Sequence, residues 1–300
     1  MFKLKDWIDQ EKINWNCLSG NPSALSLLEK NQDKINWTDL SSNPSAMPLL
    51  EKNQDKIAWS YLSTNPSARA IALLENNQDK ICWSSLSENP SAISLLEKNQ
   101  DEIDWDMLSS NTSAIELLEK NQDKIDLFYL SLNPSARAIA FLEKNQDKIV
   151  WAYLCENPSA LTLLEKNQDK INWSHLSRNP SERALTLLEN NQGKINWSQL
   201  SRNPSARAIA LLENNQKNIC WFHLSANPAA ITLLENNQDK IIWSQLSTNP
   251  SIFEYDYKGM KDAMYNGIKE DLVKNRFHPK NIPKFRDWGM DGFEDYEDDE

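Results

Sequence analysis

One phrase, repeated eleven times, governs what this chain can fold into. It runs Trp-x-x-Leu-Ser-x-Asn-Pro, then an alanine, Leu-Leu-Glu and Asn-Gln-Asp-Lys-Ile. Its first position reads Trp15, Trp37, Trp59, Trp83, Trp105, Leu127, Trp151, Trp173, Trp197, Trp221 and Trp243, at spacings of 22 or 24 residues. A short fixed period marks a solenoid, because a unit this small buries its apolar face only against its neighbours. Such a chain offers an extended surface for binding rather than a pocket for chemistry.

Each unit reads as two short helices. The second begins at Asn157-Pro158 in a representative unit, with Asn as N-cap and Pro where a missing N–H costs nothing. Over Ser159–Lys166, Ala160, Leu161, Leu163 and Leu164 share one face of a 3.6-residue wheel. Asn167-Gln168-Asp169-Lys170 ends the pattern. The other helix spans about Ile171–Arg178, with Trp173 and Leu176 on one side and His175 and Arg178 on the other. Helices this short are marginal alone, so stacking must stabilise them. No segment keeps the period-two alternation of a strand.

The expected fold is all-α: an α-solenoid of about eleven 22–24-residue helix–turn–helix repeats with terminal helical caps. The expected divisions are an N-terminal helical cap at 1–12, the repeats at 13–250, a C-terminal helical cap at 251–290 and an acidic disordered tail at 291–300. Leu4, Trp7 and Ile8 supply the first cap's stripe, and Tyr257, Met260, Met264, Ile268 and Leu272 the second's. Stacked end to end, eleven layers predict a rod on the order of 100 Å. Pro48, four residues past Pro44, predicts a distorted or shortened helix in the second unit. Units containing Arg69, Arg137, Arg183 and Arg207 are two residues longer. The register of Leu-Leu-Glu is kept, so the extra residues lengthen the second helix at its N-terminal end. Those arginines are either a solvated face or a spaced column contacting anions.

Two kinds of column stand out. Asn-Gln closes all ten full loops, including Asn99-Gln100, Asn121-Gln122, Asn145-Gln146 and Asn167-Gln168. Amides donate and accept at once, so stacked copies predict a structural hydrogen-bond ladder between units. By contrast, the slot two after Trp varies: Cys17, Asp39, Tyr61, Ser85, Met107, Tyr129, Tyr153, His175, Gln199, His223, Gln245. So does the slot five after it, which includes Arg178 and Arg202. Tyr61, Tyr129, Tyr153, His175, Arg178 and Arg202 are therefore candidate protein-binding residues, of the types enriched at interfaces. Drift at unconstrained exposed sites gives the same variability. Leu127 in the Trp column is followed by Phe128, which is expected to fill the missing volume.

The net charge is −11, and residues 291–300 alone hold seven acids. Nothing forms a basic stripe that would follow a phosphate backbone, so no nucleic-acid partner is expected. Cys17, Cys82, Cys155 and Cys220 show no paired spacing and read as reduced thiols. No signal peptide and no apolar run of membrane-spanning length is seen, so secretion and membrane partners are not expected. Asn-x-Ser/Thr matches at Asn36, Asn111, Asn172 and Asn196 are by-products of the phrase. Cys-x-x-Cys pairs, nucleophile elbows and phosphate-binding glycine loops are missing, so catalytic residues, metals and cofactors are not expected.

The phrase Leu-Leu-Glu-x-Asn-x-Asp-Lys-Ile-x-Trp-x-x-Leu-Ser-x-Asn-Pro-x-Ala over residues 13–250 resembles a tandem-repeat family of nucleocytoplasmic giant DNA viruses of the mimivirus type. The segment Ile252-Phe253-Glu254-Tyr255-Asp256-Tyr257, with Asn275-Arg276-Phe277-His278-Pro279, is similar to that family's ending. The resemblance implies a viral source and a place in host-cell cytoplasm or the virion, and no catalytic residues. Leu127, Thr112, Gly193, Lys217-Asn218 and Cys155 depart from the pattern. The function expected is a monomeric, non-enzymatic scaffold that binds another protein, viral or host. The alternatives are a structural virion component and an apolipoprotein-like lipid-surface binder. Against the latter, the Trp and Asn-Pro columns favour a packed core.

Overall fold

The computed structural model describes residues 2–271 and Lys274. It is an all-α repeat solenoid, with two short strands among the described residues, β1 (Phe2–Leu4) and β2 (Phe253–Tyr255). We number the repeats as units 1–11 by their Trp-column residue, Trp15 to Trp243. Each has a first helix starting at that residue, such as Trp151–Glu156, and a second, such as Leu161–Lys166. A single 3₁₀ turn follows, Gln168–Lys170 in that unit.

The core is one continuous stack. The Leu three after Trp is almost wholly buried in every unit, from Leu18 to Leu246. Against it pack the Ala column and the Leu-Leu pair of the second helix, with Leu28, Leu74 and Leu164 fully buried. The Trp residues themselves are only half-buried, at the edge of that core. Leu rather than Trp is therefore the spine.

The longer units behave as the register predicts. Their second helices, Ala68–Glu75, Ala136–Lys144, Glu182–Glu189 and Ala206–Glu213, gain a turn at the N-terminal end, where Ser67, Ser135, Ser181 and Ser205 cap them. In the 22-residue units the second helix starts only after the Ala column, as at Leu25–Leu28. The helix holding Pro48, Met47–Leu50, is shorter than its equivalents Ile93–Lys98, Ile115–Lys120 and Leu161–Lys166, as expected, but Leu25–Leu28 is as short without a proline. Pro48 lies in the first turn, a position that has no intrahelical acceptor to lose, so the proline is not what shortens it.

Neighbouring units are joined by the Asn-Pro column, not by Asn-Gln. Asn43 is buried, and its Nδ2 donates to the carbonyls of Ser19 (3.1 Å) and Asn21 (3.0 Å) of the preceding unit. Its Oδ1 accepts from the Ser45 N–H at 3.0 Å, which caps the turn that starts the second helix. Every unit repeats the pattern; Asn111 reaches Ser87 and Asn89, and Asn179 reaches Cys155 and Asn157. The expected ladder through Asn99, Gln100, Asn121, Gln122, Asn145, Gln146, Asn167 and Gln168 is thus corrected. Those amides stay within their own unit: Asn99 Nδ2 donates to Leu95 O, Asn121 to Leu117 O, Asn145 to Phe141 O and Asn167 to Leu163 O. Gln100, Gln122 and Gln146 donate to the carbonyl of the Glu three before them. They close the C-terminal end of the second helix, whose last carbonyls need partners.

A serine column adds a second link. Ser19 Oγ donates to Trp15 O (2.8 Å) and accepts from Asn36 N–H of the next unit (3.0 Å). Cys155 holds this slot in unit 7, and its Sγ accepts from Asn172 N–H at 3.3 Å. Burial raises its thiol pKa from 9.0 to about 11.

The rod expected from stacking is overturned, because the stack closes on itself. Asn21 in unit 1 donates to Ser247 O (3.1 Å) and Asn249 O (3.0 Å) in unit 11. Asn14 N–H donates to Ser247 Oγ (2.9 Å), and Lys12 lies over the Trp243 ring. Lys5 N–H donates to Ile252 O at 2.9 Å. Unit 11 thus meets unit 1 through the bonds that join units 1 and 2. Leu4–Phe253 is one compact unit, and within it the repeats form a closed ring. Eleven equal steps around a circle turn about 33° each, supplied by the per-repeat rotation of a solenoid. First helices of neighbouring units touch, as Trp37–Ser42 touches Trp59–Thr64, whereas most second helices stand further apart. The first helices therefore form the inner circle. At ~9 Å between neighbours, its axes lie ~30 Å apart across the ring, leaving an opening of ~20 Å.

The N-terminal segment is not a helical cap: it holds β1 and a 3₁₀ turn, Gln10–Lys12, equivalent to the loop turn of each repeat. The second compact unit holds Met1–Lys3 and Glu254–Glu300. In it Lys3 pairs with Glu254 (3.0 Å) and the Phe2 ring stacks on Tyr255. The helix Tyr257–Asp271 leaves Tyr257, Met264 and Ile268 exposed, so the expected capping stripe is not buried. Closure supplies the reason, since unit 11 has no open end for a cap to cover. Leu272, residues 275–290 of the expected cap and the acidic tail at 291–300 lie outside the described residues.

Two tests follow from these links. In an open rod Asn21 would have no preceding unit to bond, and its loss would be cheap. In the ring, Asn21→Ala is expected to cost as much as Asn111→Ala, about 2–4 kcal/mol from the lost bonds and two stranded carbonyls. Denaturant unfolding of the two variants checks this, and a much smaller loss for Asn21→Ala contradicts closure. The second test concerns Cys155. The unfolded thiol ionises near 9.0 while the folded one stays neutral to about 11. Stability from this group is therefore complete below about pH 9 and falls as pH rises through that window. Cys155→Ser removes the fall. The stability difference between parent and variant is expected to be constant below about pH 9 and to shift in favour of the variant above it.

Candidate functional site: the inner wall

The first helix of each unit turns its Leu and Ser, three and four after Trp, toward the core. The residues one, two and five after Trp lie on the opposite side and line the ring's opening. This is where both variable columns fall. The wall changes character around the circle. Units 2 to 5 contribute Asp39, Glu88 and Asp106; units 5 to 7 contribute Met107, Phe128, Tyr129, Leu132 and Tyr153; units 8 to 10 contribute His175, Arg178, Arg202 and His223.

The aromatic sector is a connected run. Phe128 meets Tyr129 at 5.0 Å between ring centroids and Tyr153 at 4.6 Å, both edge-on. Tyr153 in turn meets His175 edge-on at 5.7 Å. These are preferred aromatic geometries, worth about 0.5–1.5 kcal/mol a pair beyond burial. His175 Nδ1 lies 2.6 Å from Glu156 Oε1, and Arg178 Nη1 donates to the same oxygen at 3.0 Å. Five candidates from sequence, Tyr129, Tyr153, His175, Arg178 and Arg202, thus fall in consecutive units on one wall. Tyr61 is exposed but sits in unit 3, separated in the ring from the aromatic run, and is not part of it. Phe128 does not fill the space left by Leu127. It is 38% exposed and belongs to the aromatic run. Between units 5 and 6 lies a separate cleft of about 470 Å³ lined by Ile115, Ile125, Leu130 and Phe141, which Leu127 does not border.

The arginines of the long units are already paired. Arg69, Arg137, Arg183 and Arg207 each form a two-pronged pair with the Leu-Leu-Glu glutamate of the preceding unit, Glu51, Glu119, Glu165 and Glu189. Being largely exposed, these pairs are screened by solvent and add little stability, but each arginine is already engaged by a carboxylate.

A further column is not evident from the phrase alone. The Lys of Asp-Lys-Ile, in the turn that ends each unit, folds back over the Trp ring that begins it: Lys34 on Trp15, Lys56 on Trp37, Lys80 on Trp59, Lys124 on Trp105, Lys194 on Trp173 and Lys240 on Trp221, at 4.4–4.9 Å from the centroid. The exceptions carry a signal. Glu102 and Asn218 replace Lys where Trp83 and Trp197 lack a cation, and Leu127 replaces the ring under Lys148. In unit 7 Lys170 turns instead to Asp169, at 3.3 Å.

Among the described residues, no group of three or more His, Cys, Asp or Glu side chains is placed to hold a metal ion. None of their helices is long and apolar enough to cross a membrane. No family model matches the chain, and no curated protein or solved structure is significantly similar to it.

Leu127→Trp should be accommodated, since the ring would lie beneath Lys148 as its equivalents lie beneath theirs. Its melting temperature is expected to equal or exceed the parent's. Trp151→Ala, which removes a half-buried ring, is expected to cost about 2–4 kcal/mol. A destabilised Leu127→Trp would show that the aromatic run depends on the smaller residue.

Proposed function

We propose that this chain is a non-enzymatic ring scaffold that binds another protein on its inner wall. The observation that carries this reading is the run Phe128–Tyr129–Tyr153–His175 leading into Arg178, Arg202 and His223, on a wall built from short rigid helices. Aromatic and Arg side chains dominate binding energy at protein interfaces, and here they sit together. An opening of ~20 Å is wide enough for an α-helix of ~10–12 Å or an extended segment. A nucleic-acid backbone is a poorer occupant, because Asp39, Glu88, Asp106 and Glu156 share the wall. The titratable groups of the run also engage one another, with Glu156 held by His175 and Arg178, as in a recognition surface. The repeat phrase supports a viral source as part of the same proposal.

The test is a quadruple variant, Tyr129→Ala, Tyr153→Ala, Arg178→Ala and Arg202→Ala. Helicity and the ring's hydrodynamic size are expected to stay. Affinity for partners recovered with the parent from cells that produce it is expected to fall about tenfold or more per anchor removed. Retention of every partner at unchanged affinity would place the binding surface elsewhere.

A further inference from the structure

The inner wall already holds one carboxylate of its own, and the way it does so is a template. Glu156 is the fifth residue after Trp in unit 7. It is gripped by His175, second after Trp in unit 8, and by Arg178, fifth in unit 8. Two units further round, the same cationic residue types recur without the acid. Arg202 is fifth in unit 9, His223 is second in unit 10, and the fifth position of unit 10 is Ala226. Among the described residues no carboxylate pairs with Arg202 or His223. Arg202 thus stands in the acid's slot and Ala226 in that of Arg178, and beside them opens a cleft of about 310 Å³ bounded by Arg202, His223, Ala226, Asn227, Pro228 and Gln245. Burial, then Arg202 and Arg178, hold the His223 pKa below its ordinary value, as expected where positive potential has no counter-charge. Phe222, 48% exposed, lies beside the cleft, edge-on to His223 at 5.3 Å.

We propose that the Arg202–His223 cleft takes a carboxylate of a partner polypeptide, an Asp or Glu side chain or a C-terminus, with an apolar neighbour of that residue resting on Phe222. Arg offers a planar pair of donors matched to a carboxylate, and the imidazole adds a third. Glu156 shows that a His and an Arg of this wall together hold a carboxylate, there with both on one unit. A phosphate-rich polymer would have to enter an opening whose opposite wall carries Asp39, Glu88 and Asp106. This inference rests on the reading that the wall binds protein, and names the chemistry of what it binds.

The experiment uses the full chain. The chain has three histidines, so single substitutions assign the His223 ring resonances. The probes are the peptide Ac-Leu-Glu-Leu-NH2, its Gln counterpart and inorganic phosphate, at equal ionic strength. The His223 resonances are expected to move and saturate with the Glu peptide, and about tenfold or more weaker with the Gln peptide. Arg202→Gln is expected to weaken the Glu peptide to the same degree. Ala226→Glu is expected to block it, by placing the chain's own carboxylate in the cleft. His223→Gln, read by the peptide's own resonances, serves if Ala226→Glu alters the melting temperature. Equal response to both peptides, undiminished binding to Arg202→Gln, or saturation by phosphate but not by the Glu peptide would overturn the assignment. A failure here is distinguishable from a failure of the wall as a whole, because the quadruple variant also removes Tyr129 and Tyr153, which lie outside the cleft.

Discussion

The buried asparagine before each proline is the interaction on which the rest depends. Its side chain has two N–H donors and one carbonyl, and all three are used. The donors bond two carbonyls of the preceding unit, and the acceptor fixes the turn into the second helix. One side chain therefore sets both the fold of its own unit and the register of the joint. A buried amide with every group satisfied is highly directional, because any shift of the joint leaves polar groups unpaired in the core. Because the same bonds recur at every joint, the same rotation recurs as well, and a constant rotation bends the stack into a circle. Ring closure is thus the accumulated effect of one local geometry. The bonds from Asn21 to Ser247 and Asn249 are its last instance.

Around that joint the remaining contacts divide the labour. The Leu column and the Leu-Leu pairs supply apolar burial, which is non-directional and holds units together without fixing their angle. Ser Oγ links most first helices to the next, and Cys155 Sγ does so in unit 7. Lys over Trp covers the exposed edge of the core, and it tolerates loss, since units with Glu102, Asn218 or Leu127 stand without it. Interchangeable contacts lie at the rim, while the Asn column has no exception in eleven units.

Closure also shapes the surface on which function rests. In an open solenoid the outward residues of the first helices would form a strip along a rod. Bent into a ring, they face one another across an opening. Sectors far apart in sequence, the acidic one of units 2 to 5 and the basic one of units 8 to 10, then become opposite walls. The wall is polarised although each unit is nearly the same, because the variable positions are the ones that face inward. The long units brace the outside, where Arg–Glu pairs span second helices that stand apart.

Much of this was legible in the residues. The 22- and 24-residue period, the two helices per unit, the Asn-Pro start and the lengthened helices at Arg69, Arg137, Arg183 and Arg207 follow from capping and helical periodicity, which are local. The wall residues Tyr129, Tyr153, His175, Arg178 and Arg202 were legible too, since equal slots in consecutive units must lie side by side. The choice of ladder was not. Asn-Gln and Asn-Pro are both uniform columns, and only burial distinguishes an amide that ends its own helix from one that bonds the next unit. The hint was Thr112, where proline is lost and Asn111 is kept. Closure itself lay beyond the sequence. Whether eleven units make a rod, a helix or a ring depends on the small rotation at each joint and on its sum. That angle belongs to the packed pair of units, and no residue encodes it singly.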